Sequence, residues 1–202
     1  MGQTGRVDAE AWNERYAAAE PIWSLGPNVF VARELSAVAP GTAIDLAAGE
    51  GRNAIWLARR GWRVTAVDFA ETGLARGRGL DDTGHVTWVV ADATTWTAPE
   101  PVDLVVVAYL QLPATQRRAA VEHAWASLAP GGTLLWVGHD SSNLTHGYGG
   151  PQDPAVLMTA EDVLADLNAA GASYDVVVAG REERRTQSGS LALDCLVRVS
   201  RS

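Results

Sequence analysis

Aspartates and glycines at the ends of apolar segments are the residues of this chain best suited to bind a ligand. Asp45 begins the run DLAAGEG at the end of one such segment, Asp68 ends the next segment, and Asp92 ends the one after it. Glycines let the backbone approach a ligand closely. A carboxylate at the end of a strand in an α/β sheet can accept hydrogen bonds from ribose hydroxyls. The order of these residues predicts a site for a nucleoside.

Each of these residues also has a simpler interpretation, because Asp and Gly are common in helix caps and turns. Taken singly, Asp45, Asp68 or Asp92 would be assigned to that class. Carboxylates that end three successive parallel strands meet at the same edge of a sheet, however, and this arrangement favours the nucleoside site.

The elements that would carry this site alternate between strand-like and helix-like segments, which is typical of an α/β sheet with parallel strands. We predict strands at 42–47, 63–68, 86–90, 102–108, 133–138, 176–179 and 191–199. Helices are predicted at 8–20, 28–38, 53–60, 71–79, 113–128 and from Thr159 onward, where Asp162 completes a capping-box pattern. A long loop is predicted over 139–154 and a hairpin connection over 180–190.

Composition and charge narrow the classes of protein to which the chain can belong. Its 202 residues, 47% hydrophobic and 20% charged, suit a single domain with a substantial core. We expect residues 1–40 to form a helical lid and residues 41–202 to form the core. The formal net charge of −8 argues against a nucleic-acid partner, whose phosphates require clustered lysines and arginines. It also argues against an anionic membrane surface.

Membrane and disulfide signals are absent from the sequence. No stretch approaches the ~18 uninterrupted apolar residues of a membrane-spanning helix, and the first residues have no apolar signal core. Cys195 is the only cysteine, so neither an internal disulfide nor a cysteine zinc cluster can form. We therefore expect a cytoplasmic protein, while the oligomeric state stays open.

Three runs resemble the ordered motifs of class I S-adenosylmethionine-dependent methyltransferases: DLAAGEGRNAIWLARRGWRVTAVDFA, then ADATTW, then LAPGGTLLWVG. Within the first run, GRN and LARRGWRVTAVD are similar to the tellurite-resistance and thiopurine methyltransferase group. The resemblance covers about residues 41–140. It implies a Rossmann-like, seven-stranded sheet, mostly parallel with an antiparallel last strand, and helices on both faces. It also implies S-adenosylmethionine as cofactor and a small-molecule acceptor with a sulfur, oxygen or nitrogen nucleophile.

The resemblance implies roles for residues of the glycine-rich run. Asp45, Ala47, Gly49 and Gly51 would line the methionine end of the cofactor, and Asn53 would bind the cofactor as well. The family's first motif glycine is alanine at position 47, which is tolerable if the local φ is negative.

The later motifs imply the rest of the cofactor site. Asp68 would bind the ribose, with Phe69 beside the adenine. Asp92 would accept from the adenine amino group, and the backbone of Ala93 would donate. The residues that would flank the cofactor on the fourth strand are Ala108, Tyr109 and Leu110.

Other functional classes remain open at this stage. Ala47 makes the loop a poor match to the G-x-G-x-x-G dinucleotide pattern, which counts against an NAD-binding oxidoreductase. Such an enzyme would usually need a further substrate domain. A non-catalytic module that binds S-adenosylmethionine is the main alternative. A macromolecule methyltransferase is disfavoured by the negative charge and because the fourth strand ends AYLQ instead of an N-P-P-Y-type signature.

The loop after the fifth predicted strand is a candidate for substrate chemistry, because long loops in compact domains are often functional. It holds two of the four histidines. His139 or Asp140 could remove a proton from an acceptor, and His146 could contact it. Alternatively, Asp140 and Asn143 stabilise local turns and His139 is structural. No metal is expected, because the loop has no tight set of ligands.

Aromatic residues before the first strand are the other candidates. Trp12, Tyr16 and Trp23 would form a lid whose rings could lie beside a sulfonium and contribute roughly 0.5–2 kcal/mol. Equally, Trp12 and Tyr16 are spaced i, i+4 and could simply belong to the core.

Overall fold

A seven-stranded sheet with helices on both faces organises the residues that the computed structural model describes, 9–18 and 26–202. Its strands are β1 (Thr42–Leu46), β2 (Arg63–Asp68), β3 (Val86–Val90), β4 (Val102–Ala108), β5 (Leu128–His139), β6 (Tyr174–Arg185) and β7 (Leu191–Arg201). The helices are α1 (Ala9–Ala18), α2 (Val29–Leu35), α3 (Arg52–Arg59), α4 (Glu71–Leu80), α5 (Ala114–Ala126), α6 (Asn143–His146) and α7 (Ala160–Ala169), with a short 3₁₀ helix at Pro154–Val156. In these ranges no helix combines the length and apolar character needed to cross a bilayer.

The strand order is β3-β2-β1-β4-β5-β7-β6. β7 runs antiparallel to both of its neighbours, β5 and β6, whereas the pairs from β3 to β5 are parallel. The predicted Rossmann-like sheet with an antiparallel last strand is confirmed. The order reverses between β1 and β4, and a ligand crevice is expected beyond the carboxyl ends of the strands at this point.

Two apolar cores sandwich the sheet, which explains why the central strands are nearly continuous apolar runs. Val105 and Val107 of β4 face a core built with α5 and α7, whereas Leu104 and Val106 face a core built with α2 and α3. We call these the α5 face and the α3 face. Trp62 is buried on the α3 face.

The predicted bounds of β2, β3 and β4 are confirmed, as is the capping box of α7 between Thr159 and Asp162. The predicted hairpin connection over 180–190 is wrong in length, because β6 continues to Arg185 and pairs there with Leu191. Only the segment 186–190 turns the chain. The mistaken segment is polar because β6 lies at an edge of the sheet, where alternate side chains face solvent.

The predicted long loop over 139–154 contains local structure. It includes α6 and ends at the first residue of the 3₁₀ helix, and Asp140 forms an isolated parallel bridge with Met158. The buried side chain of Asn143 accepts a hydrogen bond from Leu193 N at 2.7 Å and donates one to the Gly149 carbonyl at 2.8 Å. The loop is therefore pinned to β7.

Glycines in α4 let this helix lie close to the glycine-rich loop after β1. A Cβ on Gly77 would approach the Trp88 ring to 2.5 Å and the Glu50 carbonyl oxygen to 2.6 Å. Gly79, two residues further on, is exposed and has open space around its α-carbon. Gly77 is thus required by packing, and Gly79 is not.

Ala47 adopts a left-handed backbone conformation with φ 61°. The negative φ that would make alanine tolerable at this position is not found, and the alanine occupies the left-handed conformation that glycine adopts more readily. A left-handed non-glycine residue costs roughly 1–2 kcal/mol. Ala48, the next residue, is not among the described residues with positive φ.

We predict opposite effects for two glycine substitutions in α4. Gly79→Ala should raise the free energy of unfolding by about 0.5 kcal/mol, because alanine favours a helix over glycine and Gly79 lies in the last turn of α4. Gly77→Ala gains the same propensity but should lower the free energy of unfolding, because its Cβ overlaps Trp88 and the Glu50 carbonyl. Urea denaturation measures both values. Equal stabilisation of the two variants would contradict the packing role of Gly77.

We also predict that Ala47→Gly raises the free energy of unfolding by up to about 1 kcal/mol. The backbone strain released at position 47 should exceed the additional conformational entropy that a glycine loses on folding. Ala48→Gly is the matched control and should lower it by about 0.5–1 kcal/mol, since no strain is relieved there. If denaturation midpoints fall for both variants, position 47 carries no strain.

Candidate functional site

A cavity of about 700 Å³, including its open mouth, lies at the carboxyl ends of β1, β2 and β4. This is the expected crevice at the point where the strand order reverses. Its described lining residues are Trp12, Tyr16, Ala47, Ala48, Gly49, Arg52, Asn53, Asp68, Phe69, Ala108, Tyr109, Leu110, Gln111 and Leu112. Most of the predicted cofactor residues are among them.

The glycine-rich loop forms one wall of the cavity. Gly49 and Gly51 have positive φ values of 57° and 71°, and the Gly51 amide donates to the Ala48 carbonyl at 2.9 Å. Gly51 is not among the lining residues. A Cβ on Gly51 would point to the Trp88 ring and lie 2.4 Å from it. Its role is to let the chain turn into α3 under that ring.

Asp68 connects this loop to the strand beside it. Its Oδ2 accepts from the Gly49 amide at 2.8 Å, and its Oδ1 accepts from the Ala70 amide at 2.8 Å. Burial raises the pKa of Asp68, and these amides oppose that shift. Each carboxylate oxygen keeps a lone pair for a further donor, so Asp68 can bind hydroxyls while it fixes the loop.

Asp45 lies beneath the loop and not in the described lining of the cavity. It is almost fully buried, and its Oδ2 accepts from the Ala54 amide in α3 at 3.0 Å. Burial raises its pKa to about 7. Asn53 does line the cavity, and its Oδ1 accepts from the Asn28 amide at 2.9 Å, which ties α3 to the start of α2.

A slot of about 250 Å³ adjoins the cavity and shares Ala47, Asp68, Phe69, Leu110 and Leu112 with it. Asp92 and Ala93 complete the lining of this slot. Asp92 also accepts from the Thr94 amide at 2.8 Å and from the Thr94 hydroxyl at 2.7 Å. The binding role and the turn role predicted for Asp92 are therefore compatible.

Arg52 was missed by the sequence analysis although it stands in the GRN motif. It is the first residue of α3. Among the described residues that line the cavity, Arg52 carries the positive charge. Burial lowers its pKa, and the nearby Asp45 carboxylate counteracts this shift. Its position directly after the glycine loop was the available signal.

The lid aromatics lie at the cavity as far as the structure describes them. Trp12 and Tyr16 both line it, and their ring centroids are 5.6 Å apart. Asn13, between them, accepts from the Thr72 amide at the start of α4 at 2.9 Å. Trp23 lies outside the described residues.

The residues proposed for chemistry lie outside the described cavity lining. Asp140 accepts from the Ser142 amide at 2.9 Å, as the turn interpretation predicts, and His146 is exposed on α6. His139 lies at the end of β5 with its ring against that of Tyr109, at a centroid distance of 4.7 Å. Tyr109 lines the cavity and His139 does not, so His139 adjoins the site through a neighbour.

Comparisons with known proteins identify methyltransferases as relatives of this chain. Residues 43–132 match the family described as "Methyltransferase domain". The trans-aconitate 2-methyltransferase of Streptomyces coelicolor is 35% identical over 168 residues, which cover 68% of this chain and 52% of the relative. Nodulation protein S of Rhizobium tropici is 30% identical over 134 residues, or 60% of this chain and 56% of the relative. The chain thus spans little more than half the length of these curated relatives.

Among solved structures, the N-methyltransferase NodS from Bradyrhizobium japonicum, in complex with S-adenosyl-L-homocysteine, has the same fold. The TM-score is 0.74 at 21% sequence identity, and the match covers 96% of this chain and 98% of NodS. Residues 43–132 therefore form a methyltransferase domain, and its motifs and strand order resemble those of class I S-adenosylmethionine-dependent methyltransferases.

Proposed function

We propose that this chain transfers a methyl group from S-adenosylmethionine to a small-molecule acceptor. The observation that carries the proposal is the cavity where the strand order reverses, because the Asp68 carboxylate and the glycine-rich loop line it and an apolar slot adjoins it. Those three features match the ribose, the methionine half and the adenine of the cofactor.

The residues present fit the cofactor in charge and shape. Asp68 would accept from the ribose hydroxyls, and Phe69 and Leu110 would enclose the adenine in the slot. Asp92 at the end of the slot would accept from the adenine amino group. Arg52 lines the part of the cavity that shares no residues with the slot, which we call the wide end, and would balance the methionine carboxylate there.

The bound cofactor supplies an electrophilic methyl group on a sulfonium, which is already a good leaving group. The protein's task is then to align the acceptor and exclude water. Tyr16 is buried over the cavity, and Trp12 packs beside it, so α1 would act as the lid. No side chain that lines the described cavity is assigned to proton removal, and a thiolate acceptor would require none.

A small acceptor is supported by the enclosure of the cavity and by the formal net charge of −8, which disfavours RNA and DNA. One relative is named for methylating trans-aconitate, which also supports a small acceptor. The nucleophilic atom of the acceptor stays unassigned among sulfur, oxygen and nitrogen.

We predict that S-adenosylmethionine and S-adenosylhomocysteine raise the melting temperature, since a ligand at 100 times its Kd adds about 2.7 kcal/mol to stability. NAD should leave it unchanged. Release of S-adenosylhomocysteine across a panel of thiols, phenols, amines and carboxylic acids then separates an enzyme from a non-catalytic module. Stabilisation by NAD, with no response to either adenosyl ligand, would contradict the proposal.

Asp68→Ala should weaken binding of S-adenosylhomocysteine by roughly 2–4 kcal/mol, because charge-assisted hydrogen bonds to the ribose are lost together with the Gly49 anchor. Asp103→Ala is the matched control: Asp103 also accepts from a backbone amide, that of Thr42 at 2.8 Å, but it lies at the amino end of β4, opposite the strand ends that form the cavity. Calorimetry should show normal binding for the control. Normal binding by a folded Asp68→Ala variant would refute the ribose assignment.

A further inference from the structure

Four side chains on the α3 face of the sheet form a partly buried cluster directly behind the cavity wall. They are Asp194 of β7, Tyr109 after β4, His139 at the end of β5 and Arg184 of β6, and we call them the Asp194 cluster. Asp194 is fully buried and lies opposite His139 in the antiparallel pairing of β7 with β5. Tyr109 is the member of the cluster that lines the cavity.

Asp194 contacts each of the other three residues. Its Oδ2 accepts from the Tyr109 hydroxyl at 3.1 Å and from Arg184 Nε at 2.6 Å, and its Oδ1 lies 3.3 Å from His139 Nδ1. Burial by itself would raise the pKa of Asp194, but the neighbouring His139 and Arg184 lower it below its ordinary value. Asp194 is therefore an ionised acceptor at the centre of the cluster.

The backbone of Tyr109 is left-handed, with φ 61°, which is rare for a bulky residue and costs roughly 1–2 kcal/mol. This conformation breaks the alternation of β4. Val105 and Val107 face the α5 side, and Tyr109 would follow them in a regular strand, yet it packs on the α3 face with Ala108. The strain brings the ring to the cavity and to Asp194. Strained residues of this kind concentrate at functional sites.

The Tyr109 hydroxyl serves as an anchor and not as a base. Burial and the adjacent Asp194 carboxylate raise the pKa of Tyr109 well above its ordinary value, so the hydroxyl stays protonated. It donates to Asp194 at 3.1 Å. The His139 ring packs against the Tyr109 ring, and the Arg184 guanidinium lies 5.7 Å from its centroid. Contacts from three strands, β5, β6 and β7, thus fix the ring.

Tyr109 belongs to one end of the cavity only. It lines the wide end, together with Trp12 and Arg52, and is not among the residues of the slot that contains Asp92 and Ala93. If the slot holds adenine, Tyr109 faces the methionine half of the cofactor and the acceptor.

We propose that Asp194 is a positioning residue that holds Tyr109 as the wall of the wide end, and that His139 contributes through this cluster without contacting the acceptor. This inference rests on the proposed function, since it assumes that the slot takes adenine. It gives the antiparallel strand β7 a part in a site whose other residues come from the parallel strands and the helices.

Calorimetry with S-adenosylhomocysteine and with adenosine tests the inference on the full chain. Asp194→Asn and Tyr109→Phe should each weaken S-adenosylhomocysteine binding about 10-fold, the usual effect of losing one hydrogen bond to a charged group. The double variant should lose about as much affinity for S-adenosylhomocysteine as the more affected single variant, because both changes break the same contact. Its loss should not equal the product of the two single fold-changes. Adenosine, which lacks the methionine half, should bind all three variants within about twofold of the wild type.

Asp166→Asn is the matched control. Asp166 is also buried and paired with two arginines, Arg117 at 2.8 Å and Arg118 at 3.2 Å, but it belongs to α7 on the α5 face. This variant should lower the melting temperature and leave the affinity for S-adenosylhomocysteine unchanged. A change in both properties would show that any broken buried ion pair disturbs the cavity, and would overturn the specific role of Asp194.

The inference is also overturned if Asp194→Asn binds S-adenosylhomocysteine as tightly as the wild type, if adenosine binding is weakened to the same degree, or if the two single effects multiply. If Asp194→Asn does not fold, Tyr109→Phe decides alone, and equal loss of both ligands would count against the inference. A wild-type chain that does not bind S-adenosylhomocysteine overturns the proposed function together with this inference. Wild-type binding with unaffected variants overturns the inference only.

Discussion

The geometry of the cavity depends on the two hydrogen bonds that the Asp68 carboxylate accepts. Its two oxygens accept from the amides of Gly49 and Ala70, so one side chain fixes both the loop after β1 and the turn into α4. A parallel sheet delivers this arrangement because adjacent strands end at the same edge, at the point where the strand order reverses. The same oxygens can still accept hydrogen bonds from a ligand. One carboxylate therefore both fixes the loop and can bind the ligand.

Backbone strain is found at this edge of the sheet, directly after two neighbouring strands. Ala47 after β1 and Tyr109 after β4 are the non-glycine residues with positive φ in the part of the chain that the structure describes. β1 and β4 are the neighbours between which the strand order reverses. Strain persists only where the surroundings over-determine the conformation. Here the surroundings are two apolar cores, one on each face of the sheet, which leave the ends of the strands little freedom to relax.

Features set by local pattern could be predicted from the sequence. The bounds of β2 and β4 and the capping box at Thr159 follow from apolar runs and from residue spacing over a few positions. Features set by pairing over long distances could not be predicted. The contact of His139 with Asp194 depends on the register of β7 against β5, which no short motif specifies. Polar residues of β6 were mistaken for a turn because an edge strand needs no second apolar face.

The position of His139 illustrates the difference between locating a residue and assigning its role. Strand prediction correctly located it near the carboxyl end of β5, at the edge of the sheet where ligands bind. Its role depends on neighbours from β4 and β7, and these interpose the Tyr109 ring between the imidazole and the cavity. A histidine beside a site is therefore not yet a base, because proton transfer needs reach as well as a suitable side chain. The Nδ1 of the imidazole lies 3.3 Å from the buried Asp194 carboxylate, so the ring adjoins the cluster instead of the cavity.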